Sequence, residues 1–106
     1  MRVLFDQGTP VPLRKALSNH SVSTAYELGW ATLKNGELLH SAEAEGFEVL
    51  VTTDTNLRYQ QDLSIRKIAI IVLSTTSWPR IRAVLENVTL AVGSASVGSY
   101  AEVLIP

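Results

Sequence analysis

The chain contains no cysteine. Disulfides, thiolate metal centres and cysteine nucleophiles are therefore excluded, and any metal must be held by oxygen or imidazole. Long apolar runs are also missing: the longest, Ile68 to Leu73, falls far short of the ~20 residues a membrane-spanning helix needs. The N-terminus carries no charged-then-apolar leader, so a cytoplasmic location with no membrane partner is the expectation. His20 and His40 stand at no metal-ligand spacing, and no serine and histidine arrangement points to a hydrolytic triad. An excess of one charge is lacking too. Nine basic against ten acidic residues leave a formal net charge of −1, so binding of nucleic acid must be local or assembled in an oligomer.

What is present describes one folded domain over residues 1–106. A hydrophobic fraction of 46% and a charged fraction of 18% suit a chain with a modest core rather than a disordered one. Strand and helix signals then alternate. Val3-Leu4-Phe5 reads as a short buried strand, and Thr9 as the cap of a helix with Pro10 at its first position and Leu13, Ala16 and Leu17 on its apolar side. Val22 to Tyr26 reads as a second strand nearer the sheet edge, stopped by Gly29. Asn35 is placed to cap a helix carrying Leu38, Leu39 and Ala42, with Glu37 in its first turn and Gly46 as its left-handed stop.

Phe47 to Val51 forms a third strand, followed by a short helix or turn over Asn56 to Gln61. Ile68 to Leu73 is apolar on both faces, as a central parallel strand under helices on each side would be. Ser77 or Trp78 should cap a helix from about Pro79, with Ile81, Val84, Leu85 and Val88 at i, i+3, i+4 and i+7. A glycine and serine loop over Gly93 to Ser99 leads to a last strand, Tyr100 to Ile105. The alternation predicts a doubly wound α/β sheet with right-handed crossovers.

Two of these strands end in an aspartate, Asp6 after the first and Asp54 after the third. If the strands are parallel neighbours, both carboxylates emerge at the rim where open α/β sheets bind ligands. Carboxylates held close repel each other unless a cation neutralises them, and Mg²⁺ characteristically uses one or two of them and fills its other positions with water or phosphate oxygen. Capping of the next turn accounts for either aspartate alone. Together they point to a site. Glu37 is the natural third carboxylate, although the helix dipole also explains it. Asn56 and Thr52 could orient water or phosphate, and Arg58, with Arg14 and Lys15, could meet a phosphate backbone. Ser74, Thr75 and Thr76 lie at another strand end, where capping the next helix is the plainer role. Trp30 and Trp78 are read as packed against the sheet, with base stacking as the alternative.

The segments Asp6-Gln7-Gly8-Thr9-Pro10-Val11-Pro12-Leu13 and Ala42-Glu43-Ala44-Glu45-Gly46-Phe47-Glu48-Val49-Leu50-Val51-Thr52-Thr53-Asp54 resemble, in order and spacing, the small PIN-like proteins of the DUF5615 group. The resemblance implies a PIN-like three-layer α/β/α sandwich with a mainly parallel sheet. It also implies a Mg²⁺- or Mn²⁺-dependent endoribonuclease acting on single-stranded RNA, with Asp6 and Asp54 as metal ligands and Glu37 assisting. The biological setting it suggests is the toxin of a toxin–antitoxin pair, with an antitoxin protein as partner and a homodimer as the assembly. Three positions depart from the pattern: Gln7, Asn35 and Asn56 stand where acids are usual, with Glu37 as the substitute for Asn35. A binding protein that has lost catalysis is therefore the alternative. A phosphoacceptor receiver domain is a third reading, but it wants an acidic pair after the first strand and a lysine after the last.

Overall fold

The computed structural model describes all residues 1–106, and the alternating pattern folds into one five-stranded sheet. The strands β1 (Arg2–Phe5), β2 (Ser21–Thr24), β3 (Val49–Thr52), β4 (Ala69–Leu73) and β5 (Tyr100–Val103) are all parallel, in the order β2-β1-β3-β4-β5. This is the flavodoxin-like doubly wound order, in which the direction of winding reverses between β1 and β3. Every residue of β3 and β4 is buried, which explains their unbroken apolar sequence: side chains alternate between faces, and both faces are covered. The strand expected to be central, β4, is interior, though the middle strand is β3.

Val3, Phe5, Val49, Val51, Ala69, Ile71 and Leu73 face one way. They pack against Leu13 and Leu17 of a 3₁₀ segment, Val11–Leu17, and against Ile81, Val88 and Val92 from α3 (Trp78–Arg82) and α4 (Leu85–Gly93). On the opposite face Leu4, Leu50, Ile70 and Val72 meet Leu38, Leu39 and Ala42 of α1 (Asn35–Ala44) and Leu57 of α2 (Leu57–Gln60). No helix is long and apolar enough to cross a membrane.

Several local expectations are corrected. The first helix is a 3₁₀ segment preceded by extended Pro10, and Thr9 does not cap it; the Thr9 hydroxyl donates across the sheet end to the Val51 carbonyl at 2.9 Å. β2 stops at Thr24, leaving Tyr26 in a turn and 77% exposed. Lys34 flanks α1, and Asn35 is its first helical residue, with its side chain used elsewhere. β3 starts at Val49, not Phe47, and α4 runs on to Gly93, where the composition predicts loop. The helix expected from Pro79 to Val88 is two helices, because Val84 leaves helical geometry at φ −130 and ψ 36. Gly46 does end the α1 turn in the left-handed region, at φ 81.

Glu43, near the end of α1, anchors the approach to β4. Its carboxylate accepts from Arg66 Nη1 at 2.9 Å and from the Lys67 and Ile68 N–H groups at 2.6 and 3.3 Å. Burial disfavours the charged form, but these donors, Arg66 foremost, outweigh it and hold the carboxyl below its ordinary value of 4.5. A lowered native value means that this group adds stability above the unfolded value and loses it as the pH falls through the native one. Glu43→Gln should therefore cost about 1–2 kcal/mol near neutral pH, the scale of a hydrogen bond to a charged group. Thermal melts should show wild type and variant converging below the ordinary value of 4.5.

Candidate functional site

The register of β1 and β3 brings the two aspartates together. Phe5 is paired with Val51, so the next residues, Asp6 and Thr52, emerge side by side, and the Asp6 N–H donates to the Val51 carbonyl at 3.0 Å. The Thr52 side chain is fully buried. Its hydroxyl donates to Asp6 Oδ2 at 2.8 Å and accepts from the Asp54 N–H at 3.1 Å, so one hydroxyl links the two acidic residues. A buried hydroxyl must satisfy its bonding within the protein, and here it does so by fixing the Asp6 carboxylate. Thr52 is thus a positioning group, with its proton already committed to Asp6.

The remaining oxygens are also held. Asp6 Oδ1 accepts from the Gln7 N–H at 2.7 Å, and Asp54 Oδ1 from the Asn56 N–H at 2.9 Å. These are the local turn contacts that capping predicts, and they coexist with the wider arrangement. Asp54 Oδ2 accepts from Asn35 Nδ2 at 2.8 Å; the same amide group donates to Gln60 Oε1 at 3.1 Å. Asn35 thereby ties the start of α1 to the loop after β3. Gly8 lies on the other side: a Cβ there would lie 2.5 Å from Thr53 Oγ1, so a side chain at this position would require the Thr53 hydroxyl to move.

The other expected residues are distributed differently. Glu37 is exposed in the first turn of α1. Residues two apart on a helix do not share a face, so the turn that aims Asn35 at Asp54 does not aim Glu37 there. Asn56 is exposed and enters through its backbone N–H. Arg58 turns toward β5, where it pairs with Glu102 at 2.9 Å and lies over the Tyr59 ring at 4.7 Å. Ser74 Oγ accepts from the Ile105 N–H at 2.8 Å, and Thr75 Oγ1 from the Ser77 N–H at 3.1 Å, so both hydroxyls serve local structure. Trp30 meets Phe47 edge to face at 6.1 Å, as expected of a packed ring.

Arg14 lines a cavity of about 390 Å³ with Asp6, Gln7, Thr24, Tyr26 and Glu27, on the β2 side of the carboxylates. It is paired with Glu27, whose carboxyl is held below its ordinary value by Arg14 first and by the Thr24 N–H next. On the β5 side, burial and then the charge of Glu102 push the Tyr100 hydroxyl up, with a smaller contribution from Asp54. Tyr26 and Gln60 have no distinct signal in the sequence as members of the site. Asn35 has one, as an amide where the resemblance wants an acid.

Each of the bound carboxylate oxygens keeps acceptor capacity beyond its one hydrogen bond. Two prepositioned carboxylates suit a hydrated Mg²⁺ or Mn²⁺, an ion that takes one or two protein carboxylates and retains water. They do not form a closed cage, since no three His, Cys, Asp or Glu side chains converge on one point. No protein-family model, curated protein or solved structure matches the chain.

Proposed function

We propose that this chain is a Mg²⁺- or Mn²⁺-dependent endoribonuclease of PIN type that cuts single-stranded RNA. The observation that carries the reading is the Asp6–Thr52–Asp54 linkage at the crevice between β1 and β3, where the strand order reverses and ligands of open α/β sheets bind. Asp6 and Asp54 would hold the ion. A bound divalent ion supplies charge neutralisation at a phosphodiester and lowers the pKa of a water nucleophile. Thr52 fixes the Asp6 carboxylate, and Asn35 orients that of Asp54. The cavity beside Asp6 gives a strand room to approach. In this reading the protein works as the toxin of a toxin–antitoxin pair, restrained by an antitoxin protein.

One observation favours a second reading, that of a binding protein without catalysis. The Asn35 amide points a donor at Asp54 where a third carboxylate would strengthen ion binding. Incubation of the purified protein with an unstructured RNA and Mn²⁺ separates the two. Cleavage that stops on chelation supports the nuclease; intact RNA under saturating Mn²⁺ supports the binding protein.

A further inference from the structure

A second concavity, of about 750 Å³, runs between the 3₁₀ segment and the α3–α4 pair, lined by Val11, Arg14, Lys15, Trp78, Arg82 and Leu85 among others. Every charged residue lining it is basic, in a chain whose net charge is −1. The three ion pairs of the structure engage Arg14, Arg58 and Arg66, so Lys15 and Arg82 have no acidic partner. Trp78 rests on the core with part of its surface open to this groove.

Val11 and Arg14 line both this groove and the cavity that contains Asp6. The two concavities therefore adjoin at these residues, and the exposed Tyr26 ring lines the latter together with Asp6. Cations spaced between two aromatic rings form the arrangement that binds single strands without regard to sequence: phosphates meet the charges and bases stack on the rings. We infer that the groove is a track for single-stranded RNA, in which Trp78 stacks a base, Lys15 and Arg82 meet phosphates, and the strand is delivered past Tyr26 to Asp6. The inference rests on the nuclease reading for its direction but concerns binding alone.

The test is anisotropy of a fluorescent oligouridylate with full-length protein in EDTA, so that nothing is cut. Wild type should bind, with log affinity falling linearly with log salt. Lys15→Glu combined with Arg82→Glu should weaken binding at least about tenfold and reduce the salt slope by about 0.7 for each phosphate that is no longer neutralised. Both positions carry cations without ion-pair partners, so the double variant should retain its thermal melt. Trp78→Leu, which keeps apolar volume on the core, should weaken binding with little change in that slope. No binding by wild type, or double-variant binding equal to wild type, overturns the track. So does a change confined to self-association in sedimentation, which would make the groove an interface between copies. If RNA binds here and is never cut with Mn²⁺, the track stands and the nuclease reading falls; if it is cut while the double variant binds normally, the reverse holds.

Discussion

Asp54→Asn and Asp6→Asn should each reduce Mn²⁺-dependent RNA cleavage by about 100-fold or more, while leaving the fold intact. A factor of 100 is about 2.7 kcal/mol of transition-state stabilisation, within what a bound metal ion contributes to charge stabilisation. The amide replacing either carboxylate keeps one acceptor oxygen but turns its other atom into a donor. At Asp54 that atom would face either the Asn35 amide or the Asn56 N–H, so one donor is left without its partner. The site is half-exposed and water can take over that hydrogen bond, so the cost in stability should stay near 1 kcal/mol. Rates of cleavage and thermal melts, measured on the same preparations, separate loss of the ion from loss of the fold. Cleavage by either variant at the wild-type rate would mean that the activity does not come from this pair.

Asn35→Asp should strengthen metal binding. In the native arrangement Asn35 Nδ2 donates to Asp54 Oδ2 at 2.8 Å, so a carboxylate there would sit against another carboxylate. Without metal the pair would repel and the bond to Gln60 would break, at a cost of about 1–3 kcal/mol. With metal the same third acid becomes a ligand. Affinity for Mn²⁺ should rise at least about tenfold, and saturation at about 100 times the dissociation constant should return about 2.7 kcal/mol. The expected signature is a melting temperature below wild type in EDTA and a larger rise on adding millimolar Mn²⁺ than wild type shows. A variant whose stability ignores Mn²⁺ would show that Asn35 does not border an ion site. If cleavage also rises, the amide is what limits the native enzyme.

The parts of the fold legible in the sequence are those fixed by local pattern. β4 announces itself because a strand buried on both faces needs apolar residues at every position from Ala69 to Leu73. The α1 stripe of Leu38, Leu39 and Ala42, and the turn at Gly46, follow from helical spacing and from the conformational freedom of glycine. Asp6 and Asp54 are legible as strand-end residues, and their juxtaposition needs only the parallel pairing of β1 with β3.

What the local pattern hides is set by partners distant in sequence. Thr9 has every local mark of a helix cap, yet its hydroxyl is claimed by Val51, 42 residues away. Arg58 lies close behind Asp54 in the chain, and its pairing with Glu102, 44 residues away on the edge strand β5, has no local mark. Ile81, Val84, Leu85 and Val88 keep helical spacing across a break, because both short helices lean on the same core; Ile81 and Val88 are fully buried, with Val84 and Leu85 packed at its margin. Periodicity reports which residues face inward, not whether the backbone between them is continuous. Asn35 is conspicuous in the sequence only as a departure from the resembling pattern; that it holds the Asp54 carboxylate depends on how α1 docks beside β3.

The decisive place is the crevice between the ends of β1 and β3. Crystals soaked in Mn²⁺ and measured at an energy where manganese scatters anomalously would test it directly. A single anomalous peak in contact with both the Asp6 and Asp54 carboxylates, absent from crystals of Asp54→Asn, is the predicted result. Saturating Mn²⁺ with no peak between these carboxylates, or a peak at some other part of the surface that survives the substitution, would contradict it.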